Sequence, residues 1–297
     1  MKNIIFTIAT SLSLLILPSN VQAHKPNEQL MRGLRESIVL VTSATNVTLT
    51  TKETNVKKTK DDSAYGTGVI IEHRGKVSFV LTAAHVCDVV YFGQIKNLFP
   101  EADPELHDVE TESIAKLTDI EGNEQPALIF GISPRYDVCI LITKRMNRKA
   151  MKFSGRTARL AEKVYSMGFP GLSQEIGVVP LFEGYYAGTD MTGRAPRDIY
   201  TIPTTGGTSG SPVFTEEGKI VGIATTGNRR FESWNGCVTH EQLVSFYIHF
   251  MDMFSEHEEK IVEMFMIEME KIQKMKEELL LTPDIPDAVL PPVPGFE

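Results

Sequence analysis

The chain has 297 residues, 42% of them hydrophobic, which is enough for a packed core of one or two domains and too little bias for disorder. Its formal charge is -8, with 38 acidic and 30 basic residues, so the composition implies no broad cationic surface on which a nucleic-acid partner would rest. No group of Cys and His residues has the spacing of a zinc site, and nothing in the sequence calls for a metal or a cofactor.

Residues 1–23 read as a secretory signal peptide. Lys2 gives a positive start, Ile4 to Leu17 is an apolar run, and Val21-Gln22-Ala23 offers small residues for cleavage, so the mature chain would begin near His24. This predicts an exported protein, secreted or periplasmic. An uncleaved anchor is the alternative, although the run is short for a span of roughly 20 residues.

Ser37 to Thr42 reads as a first strand, and the polar stretch Thr45 to Asp62 as a hairpin edge followed by an exposed loop. Tyr65 to Ile71 and Val77 to Thr82, joined by the Arg74-Gly75 turn, form a hairpin. Val89 to Ile120 is mixed and acidic, a surface excursion with one further strand. Ala127 to Ile132 and Val138 to Thr143 are extended and meet at the bend Ser133 to Tyr136. A weakly patterned basic segment then suits a linker near residues 145–158. Lys163 to Met167, Leu181 to Tyr186, Asp198 to Ile202, Ser211 to Phe214 and Ile220 to Thr225 make a second set of short strands. Short β-rich segments punctuated by Gly and Pro favour an all-β architecture of two small domains, residues 24–150 and 151–238.

The character changes in residues 239–281. Glu241 to Leu281 contains no Gly or Pro, and Ile261, Phe265, Ile272, Met275 and Leu279 recur at helical spacing, so a long amphipathic helix is expected, with a break allowed near Ser255. Its Met-rich stripe suits self-association or docking on a partner, or packing back on the β domains. Residues 282–297 form a proline-rich tail that will not pack as helix or central strand. Cys87, Cys139 and Cys237 are odd in number, so at least one is free or pairs with another molecule. A Cys87–Cys139 bridge requires the fold to bring their Cα atoms within about 7 Å.

Three segments carry chemistry. In Leu81-Thr82-Ala83-Ala84-His85 a strand ends in small residues and presents an imidazole with close support. In Tyr136-Asp137-Val138-Cys139-Ile140-Leu141 a carboxylate opens an apolar strand, where burial obliges it to find donors; an imidazole Nδ1–H is one, and it fixes the tautomer that leaves Nε2 free as a base. In Gly206-Gly207-Thr208-Ser209-Gly210-Ser211-Pro212-Val213-Phe214 a serine sits in a glycine-rich turn before a strand, so the amides of Gly207 and Ser209 can converge on a developing oxyanion. The order His, Asp, Ser, each beside a strand, suits acyl transfer through a covalent intermediate and differs from the order of an α/β-hydrolase.

With these segments, and with Gly66-Thr67-Gly68-Val69, Gly168-Phe169-Pro170 and Val221-Gly222-Ile223, the chain resembles the chymotrypsin or trypsin-like serine proteases over roughly residues 36–250. The likeness is greatest to bacterial and phage-type branches such as the periplasmic heat-shock proteases and glutamyl endopeptidases. The resemblance implies two six-stranded antiparallel β-barrels with a long C-terminal helix. It also implies a serine endopeptidase acting on protein or peptide substrates, with His85 as base, Asp137 as its orienter, Ser209 as nucleophile, and Gly207 and Ser209 as oxyanion donors. By the same resemblance Pro203, Thr204, Thr225, Thr226 and Gly227 line the specificity pocket. No aspartate stands at the pocket base and Ala224 replaces the histidine of the glutamyl-specific branch, which points to small or medium uncharged side chains at the cleaved position. Ser211 stands where many animal members have glycine, and Thr208 replaces the usual Asp or Asn. The competing reading is an inactive protease-fold protein with a binding or structural role.

Overall fold

The computed structural model describes residues 27–88, 98–172, 178–193, 195–228 and 231–280. The leader of residues 1–23 and the tail of residues 282–297 lie outside them. Helix α1, Glu28–Arg35, opens the described chain, with the Asn27 side chain accepting from the Leu30 N–H at 3.1 Å as its N-cap.

Six strands follow: β1 (Ile38–Thr51), β2 (Lys57–Arg74), β3 (Val77–Thr82), β4 (His107–Thr118), β5 (Glu124–Ser133) and β6 (Val138–Lys144). They close into a barrel in the order β1-β2-β3-β6-β5-β4. Alternate residues Val39, Val41, Ile70, Val80, Leu117, Ala127 and Leu141 fill one core. The opposite faces of the same strands, carrying Ile38, Ile71, Phe79, Leu81, Ile140 and Ile142, enter a second and larger core. Strand β3 is therefore buried along its whole length and β6 nearly so, which is why both read as unbroken apolar runs and not as alternating strands. The polar stretch read as a short edge and a loop is instead a long ribbon of β1 and β2. Cross-strand pairs hold it, among them Asn46 Nδ2 donating to Asp61 Oδ1 at 2.9 Å and Thr48 facing Thr59 at 3.2 Å.

The second half departs from the expected pair of six-stranded antiparallel barrels. It is a seven-stranded sheet: β7 (Lys152–Phe153), β8 (Lys163–Met167), β9 (Leu181–Asp190), β10 (Arg197–Tyr200), β11 (Pro212–Phe214), β12 (Lys219–Asn228) and β13 (Phe231–Val238), in the order β11-β8-β9-β10-β13-β12-β7, with a further β11–β12 pairing. The extra strand β7 pairs parallel to β12, so the sheet is mixed. It falls within the segment read as a linker, and two residues are too few to leave a hydrophobic period in the sequence. The architecture is thus one closed six-stranded barrel, one seven-stranded sheet and a C-terminal helix.

That helix, α3 (His240–Leu280), has a non-helical backbone at His257, with φ -131° and ψ 23°. The His240 N–H at its start donates to the buried Asp198 at 3.2 Å, a favourable place for a carboxylate. Before His257, Leu243, Phe246, Met251 and Phe254 enter the larger core, and after it Phe265, Met269 and Ile272 do the same. Phe254 meets Phe79 edge-on at 4.9 Å between ring centroids, and Phe250 meets Phe130 at 5.8 Å. Tyr247 donates to Glu72 of β2 at 3.0 Å; burial and this acceptor push its hydroxyl up to about 12. Among the described residues no helix is long and apolar enough to cross a membrane.

Candidate active site

The register of the barrel builds the first part of the site. Thr82 at the end of β3 pairs with Cys139 of β6, so the residue two before Cys139 stands beside the chain that leaves β3. That chain turns into α2 (Ala84–Cys87), one helical turn carrying His85, with Ala83 and Ala84 fully buried beneath it. Asp137 is 1% exposed. It accepts from the His85 backbone N–H at 3.1 Å, and the ring Nδ1 of His85 lies 3.0 Å from each carboxylate oxygen. The two donors answer the cost of burying a carboxylate. Asp137 has φ +59°, a conformation disfavoured for a side chain with a Cβ. A disulfide joins Cys87 to Cys139 with Cα atoms 6.6 Å apart, each cysteine two residues beyond His85 or Asp137, so the covalent link spans the two segments that carry the pair. Cys237 is free and buried, and burial pushes its thiol well above the ordinary range, which makes it a poor nucleophile.

Ser209 lies in the loop between β10 and β11. Thr208 shapes the loop from within: its hydroxyl donates to Thr205 O at 2.7 Å, and Thr205 N–H donates back to that hydroxyl at 3.1 Å. Thr67 of β2 ties the loop to the barrel. Its N–H donates to Ser209 O at 2.8 Å, its hydroxyl donates to Gly207 O at 2.8 Å, and its own carbonyl accepts from Thr82 Oγ1 at 2.7 Å. Ser209 is thereby held against the end of β3, from which His85 emerges. Two glycines are required for this approach. Gly210, at φ +86°, would place a Cβ 2.0 Å from Thr67 O, and Gly207, at φ +88°, would place one 2.2 Å from Phe169 O. The N–H groups of Thr208, Gly210 and Ser211 are bonded to backbone carbonyls, while those of Gly207 and Ser209 have no acceptor among the described residues.

Of the five residues expected to line the specificity pocket, Pro203 and Thr204 border a small cavity beside Thr208 and Ser211. Thr225, Thr226 and Gly227 lie on β12, where the Thr225 hydroxyl donates to Gly236 O at 3.1 Å. The sequence reading did not single out Asn235, Arg197 or the role of Thr67. Asn235 lines the cavity, and its Oδ1 accepts from the Thr204 hydroxyl. Arg197 bridges the two halves, donating to Tyr136 O at 2.7 Å and to Thr225 Oγ1 at 3.1 Å, and so braces the residue next to Asp137. Among the described residues no group of metal-ligating side chains gathers.

Many solved structures share this fold, two bacterial proteins among them. The crystal structure of the serine endoprotease from Yersinia pestis matches with a TM-score of 0.51 at 17% identity, over 75% of this chain and 66% of that one, so the chain spans just under two thirds of its length. The crystal structure of Rv3671c from M. tuberculosis H37Rv, in an inactive mutant form, matches with a TM-score of 0.51 at 15% identity, over 76% of this chain and 92% of that one. The sequence matches no curated protein. The family model of the trypsin-like peptidase domain matches residues 66–223, more than half of the chain and the whole stretch from the β2 glycines through His85, Asp137 and Ser209 to β12, and the protein therefore belongs to the trypsin-like peptidase family.

Proposed function

We propose that the protein is a serine endopeptidase that cleaves peptide bonds through Ser209, His85 and Asp137. The observation that carries this reading is the buried Asp137 carboxylate held against Nδ1 of His85, beside the loop that presents Ser209. With the ring proton on Nδ1, Nε2 is left with its lone pair and serves as general base to the Ser209 hydroxyl. The serine oxygen then adds to the peptide carbonyl, and the open amides of Gly207 and Ser209 stabilise the oxyanion. His85 returns the proton to the leaving amine, and water repeats the sequence on the acyl-enzyme. Each such amide is worth on the order of 3 kcal/mol of transition-state stabilisation. Substrates are proteins or peptides. An exported location fits the leader sequence and the Cys87–Cys139 disulfide, which persists in an oxidising compartment. Among the described residues of α3, Ile248, Met264 and Ile267 stay exposed and are available for self-association, while Leu243, Phe246, Met251, Phe254, Phe265, Met269 and Ile272 enter the core.

The test is cleavage of an unfolded protein substrate by the native chain and by Ser209→Ala, His85→Ala and Gly207→Ala. The reading expects cleavage by the native chain and near-complete loss in the first two variants. Equal cleavage by the native chain and Ser209→Ala would overturn it.

A further inference from the structure

Four successive carbonyls of the loop that presents Ser209 are each engaged. Gly206 O accepts from the Gly171 N–H at 2.6 Å, Gly207 O from the Thr67 hydroxyl at 2.8 Å, Thr208 O from the Ser211 N–H at 3.0 Å and Ser209 O from the Thr67 N–H at 2.8 Å. In a trans peptide the N–H of one residue points opposite to the carbonyl of the residue before it. The bond to Gly206 O therefore sets the direction of the Gly207 N–H, and the bond to Thr208 O sets that of the Ser209 N–H. Gly206 and Gly207 are consecutive glycines, so no side chain restrains the peptide between them. Two groups from outside the loop do so instead: the Gly171 N–H on one carbonyl and the Thr67 hydroxyl on the next. Thr67 is fully buried, and its Oγ1 also accepts from the Phe169 N–H at 3.0 Å, so the single hydroxyl proton is committed to Gly207 O. Gly171 lies in the exposed turn Pro170–Leu172 at φ +64°, a conformation that favours glycine.

We infer that Thr67 is a positioning residue of the oxyanion hole: its hydroxyl acts with the Gly171 N–H to hold the peptides on either side of Gly207, so that the Gly207 N–H is aimed before substrate arrives. This rests on the endopeptidase reading. Neither group touches the reacting atoms. An amide set in advance needs no reorganisation as charge develops, which is the source of such a donor's strength. Thr67→Val keeps the branched shape but deprives Gly207 O and the Phe169 N–H of their partner, so the peptide beyond Gly207 is released. Thr67→Ser keeps the hydroxyl. At Gly171 an added Cβ meets nothing within 4 Å, so Gly171→Val acts through the backbone alone. A β-branched residue resists positive φ, and the turn that aims the Gly171 N–H at Gly206 O is lost.

The experiment follows phosphonylation of the folded full chain by a fluorophosphonate, read as intact mass against time and reagent concentration. Ser209 Oγ bonds to phosphorus, fluoride leaves, the hydroxyl proton passes to His85, and the phosphoryl oxygen occupies the hole, so no peptide preference enters. Thr67→Val should lower the limiting rate about 10- to 100-fold with the half-saturating concentration nearly unchanged, and Gly171→Val should do the same. Thr67→Ser should stay within about threefold of the native rate. The chain carrying both Thr67→Val and Gly171→Val should be slower than either single variant by less than about threefold, because both disable one amide. A merely structural role would lower the fraction of protein that reacts and leave the rate of that fraction as it was; a melting curve checks each variant. A limiting rate in Thr67→Val within about threefold of native, or a rate in Thr67→Ser as slow as in Thr67→Val, would overturn the inference. If Thr67→Val does not fold, the same limit on Gly171→Val decides. Native protein that takes up no adduct sinks the endopeptidase reading and this inference together, whereas an adduct formed at an undiminished rate in the variants sinks this inference alone.

Discussion

At the scale of single residues, the site depends on what surrounds Asp137. Its carboxylate is buried, bonded twice to His85, and set in a backbone conformation that a residue with a Cβ disfavours, so the surrounding structure has to hold it there. Asp137→Asn keeps the shape and removes the charge, and it allows the imidazole the wrong tautomer. We expect kcat to fall by about 10³ to 10⁴ with little change in folding, measured by steady-state cleavage and a melting curve. Loss of less than about tenfold would show that Asp137 does not orient the base. Asp119 gives a separate handle. Burial alone would raise its carboxyl, but hydrogen bonds from Asn123 and Arg148 outweigh that and hold it below the usual range. A depressed carboxyl contributes stability that is complete above the unfolded value near 3.9 and is lost as pH falls through the folded value. Asp119→Asn should therefore cost about 2 kcal/mol in urea unfolding at pH 7, and the difference from the native chain should shrink toward pH 3.

At the scale of elements, what could be read in the sequence follows what was local. His85 and Asp137 each lie at one end of an apolar run, and Ser209 lies in a turn whose glycines are needed by close backbone approach, so a short window was enough to single out all three as candidates. Arg197 and Asn235 were not legible, because their partners are made by the β10–β13 and β12–β13 registers and lie far away in the chain. The β1–β2 ribbon was read short for the converse reason: its strands are rich in Thr, Lys and Asp and are held by cross-strand polar pairs instead of a buried face. Arg197 also predicts a coupling between the halves. Arg197→Met removes the donors to Tyr136 O and Thr225 Oγ1, and should lower kcat about tenfold with KM nearly unchanged, at a stability cost of about 1 to 2 kcal/mol. Arg197→Lys, which keeps one donor, should recover part of the rate. A unchanged kcat in the Met variant would mean that the strut supports the fold alone.

At the scale of the whole molecule, one core joins the outer face of the barrel, the seven-stranded sheet and α3. The amphipathic pattern of residues 239–281 revealed the helix but not its surface, since that surface exists only after β3, β5 and β6 have closed the barrel. The strand count of the second half was hidden in the same way, with β7 defined by its neighbour β12 and not by its own residues. Phe254, 1% exposed and packed against Phe79 and Phe130, sits at this junction. Phe254→Ala should cost about 3 to 5 kcal/mol in urea unfolding, whereas a cost under about 1 kcal/mol would mean that α3 is not part of the core.

The proposed function requires an activated hydroxyl at Ser209, and the most direct measurement is the intact mass of the folded protein after exposure to a fluorophosphonate. The account predicts a single adduct on Ser209, absent in Ser209→Ala and formed far more slowly in Asp137→Asn. Folded native protein that takes up no adduct, or an adduct that persists in Ser209→Ala, would contradict it.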